Sequence, residues 1–225
     1  IYWYSLKHMN GEVKCMLYSR LKFAFKNVTE NVWNGLEDAF EHDISFGETS
    51  ISDMILLYLM KLNNPQIAIK QTKQNEESEF GTDWLWWIGS DNRGWVAFAV
   101  QAKKYSTKDD RYNSLGHKVK GVSQSDILKD YADSIQAIPI YALYNYVLKE
   151  NFSTGIRGLI FDYPKNIHGV TVTPLHVIKE AVNERGCRNF KFIHDKFSTI
   201  TLPELICETE TYLDNHVNNK NKSKL

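Results

Sequence analysis

Apolar residues along the first part of the chain recur at helical spacing. Leu17, Leu21, Phe25 and Val28, continued by Val32, Leu36 and Phe40, predict a helical segment over residues 12–44. Gly47 interrupts the stripe. Glu48-Thr49-Ser50-Ile51-Ser52-Asp53 then reads as a new helix start, because carboxylates and hydroxyls in a first turn favour the exposed amides and the helix dipole. Ile51, Ile55, Leu59 and Leu62 form its buried stripe, and Asn63-Asn64-Pro65 ends it. The period then changes. Ile67 and Ile69 set against Lys70 predict a strand over 67–72, and the polar stretch 73–79 reads as a loop. Residues 83–88 and 95–105 read as the two strands of a hairpin around Gly89-Ser90-Asp91-Asn92-Arg93-Gly94.

Residues 106–121 are polar, contain Gly116 and Gly121, and read as a long loop. Ile127, Leu128, Tyr131 and Ile135 predict a helix over 123–135 with Ser123 as its cap, and 138–146 is a strongly apolar strand. Strand, helix, strand in that order implies a crossover and a parallel pairing with one hairpin strand. Further on, 157–161 reads as a strand, 174–183 as a helix with proline near its first position, and 203–216 as a last helix. The polar, basic tail 217–225 is expected to fray. The fold expected is α/β: a central mixed β-sheet flanked by helices.

The chain has 225 residues, which suits one domain able to bury a sizeable core. We expect a single domain with an N-terminal helical segment 12–44, a core over 47–146 and a C-terminal α/β extension over 147–216. Formal net charge is zero, whereas many nucleic-acid enzymes are basic; local patches can still hold phosphate, because the field depends on where charge sits. Cys15, Cys187 and Cys207 lie far apart without a CxxC pair and read as free, mostly buried thiols of a reducing, cytoplasmic setting. No apolar run reaches the roughly 18 residues of a membrane span. The seven histidines show no zinc spacing, and no GxSxG or complete P-loop occurs.

Candidate chemistry concentrates at one end of the hairpin. Side chains alternate along a strand, so Gln101 and Lys103 share a face, opposite Val96, Phe98, Val100 and Ala102. Asp83 opens the preceding strand. With Ile88 set against Trp95, Asp83 falls opposite about position 100, and a one-residue bulge brings it beside Gln101. Glu48 completes the group if its helix packs across the sheet, with Asp53 one turn later as its replacement. A hard divalent cation, Mg²⁺ or Mn²⁺, takes oxygen ligands: here Asp83 and Glu48, the Gln101 amide oxygen and the Ala102 carbonyl. Lys103 would orient water and offset charge in a transition state. Two carboxylates hold a cation less tightly than three. Gln124, at the next helix start, and Lys104, Arg111 and Tyr112, in or beside the long loop, are candidate supports for the site or for substrate phosphates. Taken singly, each has a plain structural reading: Asp83 as a turn residue, Lys103 and the loop cations as solvated charge, Glu48 as a dipole partner. Trp84, Trp86, Trp87 and Trp95 read as core packing before base stacking.

The order Glu48, then Gly81-Thr82-Asp83, then Gln101-Ala102-Lys103 resembles the PD-(D/E)XK (restriction-endonuclease-like) nuclease superfamily. Gln-Ala-Lys is similar to the QxK variant of Mrr-like enzymes, in which glutamine replaces the usual acid. No proline precedes Asp83. The stretch 47–146, less than half the chain, also resembles a group of uncharacterised bacterial proteins with Gly-Glu at a helix start, an Asp-Trp strand, Gln-Ala-Lys and Pro-Ile-Tyr. The resemblance implies a restriction-endonuclease-like core and a metal-dependent nuclease cutting DNA, in defence against foreign DNA. It implies nucleic acid as partner, no membrane, and a homodimer or a partner subunit of a defence complex. Two other classes stand beside it: an inactive nuclease-fold module binding nucleic acid or protein, and an RNA-cleaving effector.

Overall fold

The computed structural model describes residues 20–148, 164–184, 187–196 and 198–222. The expected strand at 157–161, the start of the first helix and Cys15 lie outside the described residues. Helix α1 spans Arg20–Glu41 and buries Leu21, Phe25, Val28, Val32 and Leu36 of the expected stripe, while Phe40 is exposed and Leu17 lies outside the described residues. Helix α2 spans Glu48–Lys61 and buries Ile51, Ile55, Leu56 and Leu59. Strand β1 (Ile67–Gln71) follows.

Residues 73–79, read as a loop, instead contain a short helix α3, Gln74–Phe80. Its sequence has no apolar repeat, so periodicity could not reveal it. It is held at its end: Gly81 adopts φ 62° and donates its N–H to the Glu77 carbonyl, and the Phe80 ring stacks on Tyr131 at 4.5 Å between centroids. A left-handed glycine closing a helix was the signal available in the sequence.

Strands β2 (Trp84–Ser90) and β3 (Gly94–Lys104) form the expected hairpin. A two-residue β4–β5 pair, Lys118–Val119 with Val122–Ser123, lies within the stretch read as loop and at its junction with the next helix. Helix α4 (Gln124–Ser134) starts at Ser123, whose hydroxyl accepts the Ser125 N–H as expected for a cap. Strand β6 (Ile138–Tyr144) then pairs parallel with β3.

The C-terminal part joins the same sheet rather than forming an appendage. Strand β7 (Val170–Pro174) pairs antiparallel with β6, and the two-residue β8 (Ile200–Thr201) with β7. Both strands, the short 3₁₀ turn Lys165–His168 and helix α6 (Phe190–His194) were missing from the sequence reading. Helix α5 (Leu175–Asn183) starts after Pro174. Helix α7 spans Leu202–Lys222 and so runs into the basic tail.

The result is an α/β fold: one six-stranded mixed sheet, ordered β1-β2-β3-β6-β7-β8, with helices on both faces. One face packs Phe98, Val100, Ala102 and Tyr144 against α1, α2 and α7. The other packs Ala99, Tyr141 and Leu143 against Leu128 of α4, Ile178 of α5 and Phe190 of α6. Among the described residues no helix is long and apolar enough to cross a membrane. Cys187 and Cys207 are not joined in a disulfide and are half-buried rather than buried.

Candidate active site

The hairpin register settles how Asp83 meets Gln101. Ile88 pairs with Val96 and Trp84 with Val100, a register shifted by one residue from the sequence count, which set Ile88 against Trp95. The ladder ends at Trp84, and the Asp83 N–H donates to the carbonyl of that same partner, Val100, at 2.8 Å, so two residues face one as the expected bulge requires and the Asp83 carboxyl reaches Gln101. Thr82 fixes this approach. It is buried, and its hydroxyl reaches the carbonyls of Trp84 and Val100, each at 2.9 Å. Gly81 is required twice over. Its φ is positive, and a Cβ there would lie 2.8 Å from the Leu128 amide nitrogen and 3.0 Å from the Gln124 carbonyl oxygen. The loop before Asp83 thus packs main chain to main chain on the start of α4.

That contact brings Gln124 to the site. Gln124 Nε2 donates to Gln101 Oε1 at 2.8 Å, and Gln101 Nε2 donates to Asp83 Oδ2 at 2.8 Å. The same Asp83 oxygen accepts the Ala102 N–H at 2.6 Å, and Gln101 Nε2 also reaches the Ala102 carbonyl at 3.2 Å. Gln101 and Gln124 are buried; Asp83 keeps part of its surface open. The nitrogen end of Gln101, not the expected oxygen, therefore faces Asp83.

Glu48 arrives from the other face. Ser52, one turn further along α2, is buried and its hydroxyl bonds the Tyr144 hydroxyl at 2.8 Å, which pins the start of α2 to β6. Glu48 lies on the same helical face (i, i+4) and reaches the end of β3. Its Oε2 accepts the Lys104 N–H at 2.8 Å, and its Oε1 lies 3.6 Å from Lys103 Nζ. Lys103 is buried, yet that ion pair is longer than a hydrogen bond, so its ammonium retains donor capacity at the site. Asp53, the alternative to Glu48, instead accepts from Gln71 Nε2 on the exposed side.

A family model described as DUF6615, a family of unknown function, matches residues 21–223. The chain belongs to that family. No curated protein matches it. In this DUF6615 chain, Asp83, Gln101, Lys103, Glu48 and Gln124 meet at one end of β3. The loop candidates do not join them. Lys104 turns away and donates to the Phe46 carbonyl at 2.7 Å, as strand alternation demands. Arg111 Nε donates to Asn113 on the surface. Tyr112, expected to face substrate, is wholly buried with its hydroxyl on Asn145, because the long loop folds inward against β6. Trp84 and Trp86 lie in the core, while Trp95 is partly exposed.

Protein closes around the Asp83 carboxyl, and desolvation pushes it up from 3.8 to about 7. The Ala102 N–H and the Lys103 charge pull it down; Glu77 and Glu48 push it up further. Glu77 belongs to helix α3 and was missed with it. Tyr141 was also missed as a site residue. It pairs with Gln101 across β3 and β6, is buried, and its hydroxyl has no hydrogen-bond partner among the described residues. Burial and the Asp83 and Asp126 charges raise its pKa, so it stays protonated. Period-two alternation from Gln101, carried across the parallel register, was the signal that could have found it.

The donor set fits a hard cation in composition. Asp83 Oδ2 is engaged by two protein donors, which leaves Oδ1 as the oxygen for an external partner. Among the described residues no three His, Cys, Asp or Glu side chains cluster as a metal group, so neutral amide and carbonyl oxygens would complete the shell.

Proposed function

We propose that this chain is a metal-dependent nuclease that hydrolyses phosphodiester bonds, DNA first, in defence against foreign DNA. The observation that carries the reading is the meeting of Asp83, Gln101, Lys103 and Glu48 at the end of β3, although they are far apart in sequence. The order helix, strand, hairpin strand, helix and parallel strand from α2 to β6 supports it, since this is the order of the restriction-endonuclease-like core that the motif resembles.

A bound Mg²⁺ or Mn²⁺ would polarise a phosphoryl oxygen and lower the cost of forming hydroxide. Asp83 Oδ1 and Glu48 would hold it, with the Gln101 and Ala102 oxygens as neutral ligands. Lys103 donates to the attacking water or to the phosphate and offsets negative charge as the water oxygen adds to phosphorus and the ester oxygen departs. Cutting both strands of a duplex takes two such sites, which a second copy or a partner subunit of a defence complex would supply in the cytoplasm.

The test is nicking of supercoiled DNA with Mg²⁺ or Mn²⁺. Asp83→Ala and Lys103→Ala should each lower the rate by about a hundredfold or more, and a chelator should abolish it. Cleavage of RNA but not DNA would move the substrate class to RNA. One observation favours a second reading, an inactive module that binds nucleic acid or a protein partner: the Gln101 amide nitrogen, not an acid, faces Asp83. Binding without cleavage under every metal tried would select it.

A further inference from the structure

Gln101 uses all of its amide in the arrangement described. Both Nε2 bonds point at the candidate ligands, one to Asp83 Oδ2 and one to the Ala102 carbonyl, while Oε1 accepts from Gln124. Two expected cation ligands, the Gln101 oxygen and the Ala102 carbonyl, are therefore turned away or occupied by the same NH₂ group. Rotation of the Gln101 amide by half a turn would release both at once. Its cost is set by Gln124, because an inverted Gln101 aims NH₂ at the NH₂ of Gln124. Gln124 must turn over too, and its Oε1 is the atom available. That oxygen is buried and has no hydrogen-bond partner among the described residues. A buried acceptor left in this state destabilises the arrangement, because it has given up water without gaining a donor.

We propose that Gln124 is a positioning residue for the cation site and that the Gln101 and Gln124 amides invert together when a divalent cation binds at Asp83. This rests on the cation-dependent reading above. After inversion, Gln101 Oε1 faces the cation beside a freed Ala102 carbonyl, and Gln101 Nε2 donates to Gln124 Oε1. Asp83 keeps the Ala102 N–H. The pair thus acts as a two-position relay in a sealed layer between β3 and α4, and Gln124 influences the cation without touching it.

Gln124→Glu tests this, because a carboxylate can only accept from Gln101 and so favours the inverted position. Calorimetric titration with Mn²⁺ should show about a tenfold tighter site in Gln124→Glu than in the unaltered chain. Through-space charge alone would do something similar, so the titration is repeated in a Gln101→Met background, where no amide is left to turn. The gain should vanish there. An equal gain in both backgrounds, or none in either, overturns the relay. If the unaltered chain binds no Mn²⁺, the cation reading itself fails. Should a variant fail to fold, a Mg²⁺ titration of the unaltered chain followed by side-chain amide NMR decides. The NH₂ signals of Gln101 and Gln124 should shift together with one midpoint. A Gln124 signal that stays still while Gln101 moves overturns the inference.

Discussion

Burial holds a proton on Asp83 up to about 7, well above the ordinary aspartate value of 3.8. Between those two values the folded chain carries a proton that the unfolded chain has lost. The cation-free protein must therefore lose stability as pH rises through that window, and level off above it. Asp83→Asn removes the slope. With a chelator present it should melt higher than the unaltered chain at pH 8, by about 1–3 kcal/mol, and show little difference at pH 4. Thermal melts across pH check this; a flat difference would show that the proton sits elsewhere. Gln101→Glu should act oppositely. A second acid beside Asp83 destabilises the cation-free chain but should tighten Mn²⁺ binding about tenfold, read by melting with and without the ion. The reason Gln101 and Lys103 were legible in the sequence is simple: strand alternation fixes which residues share a face. The orientation of an amide leaves no such trace, because oxygen and nitrogen ends are chosen by neighbours distant along the chain.

At the scale of elements, long periodic segments were readable and short ones were not. Helices α1, α2 and α4 each bury a repeating stripe, and the β2–β3 hairpin announces itself through its turn. Helix α3 is held by its ends, and β7 and β8 by pairing with strands that precede them. Tertiary contact makes those elements, so local pattern cannot. The count set Ile88 against Trp95, whereas Ile88 pairs with Val96 and Ser90 with Gly94, a shift of one residue that the turn sequence did not announce. Helix α3 also brings the Glu77 charge toward Asp83. Phe80→Ala should loosen this helix from Tyr131 and cost about 1 kcal/mol, measured by denaturant melts, with faster amide exchange confined to residues 74–83.

Across the whole molecule, the sheet does not divide where the motif does. The stretch 47–146 carries every candidate site residue, yet β6 lies between β3 and β7, and α1 and α7 cover the face that holds Trp86 and Phe98. A fragment 47–146 should therefore fail to unfold cooperatively, as near-ultraviolet circular dichroism on heating would report, despite containing the full motif. The chain's neutral total charge says nothing of where charge sits: Lys103 and Lys104 both lie beside the single carboxylate of Glu48 at the end of β3.

The bare α-carbon of Gly81 has a mechanical meaning. Because two backbones abut there, the Asp83 strand entry and the first turn of α4 cannot approach each other further and are held as one unit. Glu48 is fastened differently, through side chains at Ser52 and Tyr144 and through the Lys104 amide. The two carboxylates are thus mounted unequally, Asp83 on abutting main chain and Glu48 on side-chain bonds that can give.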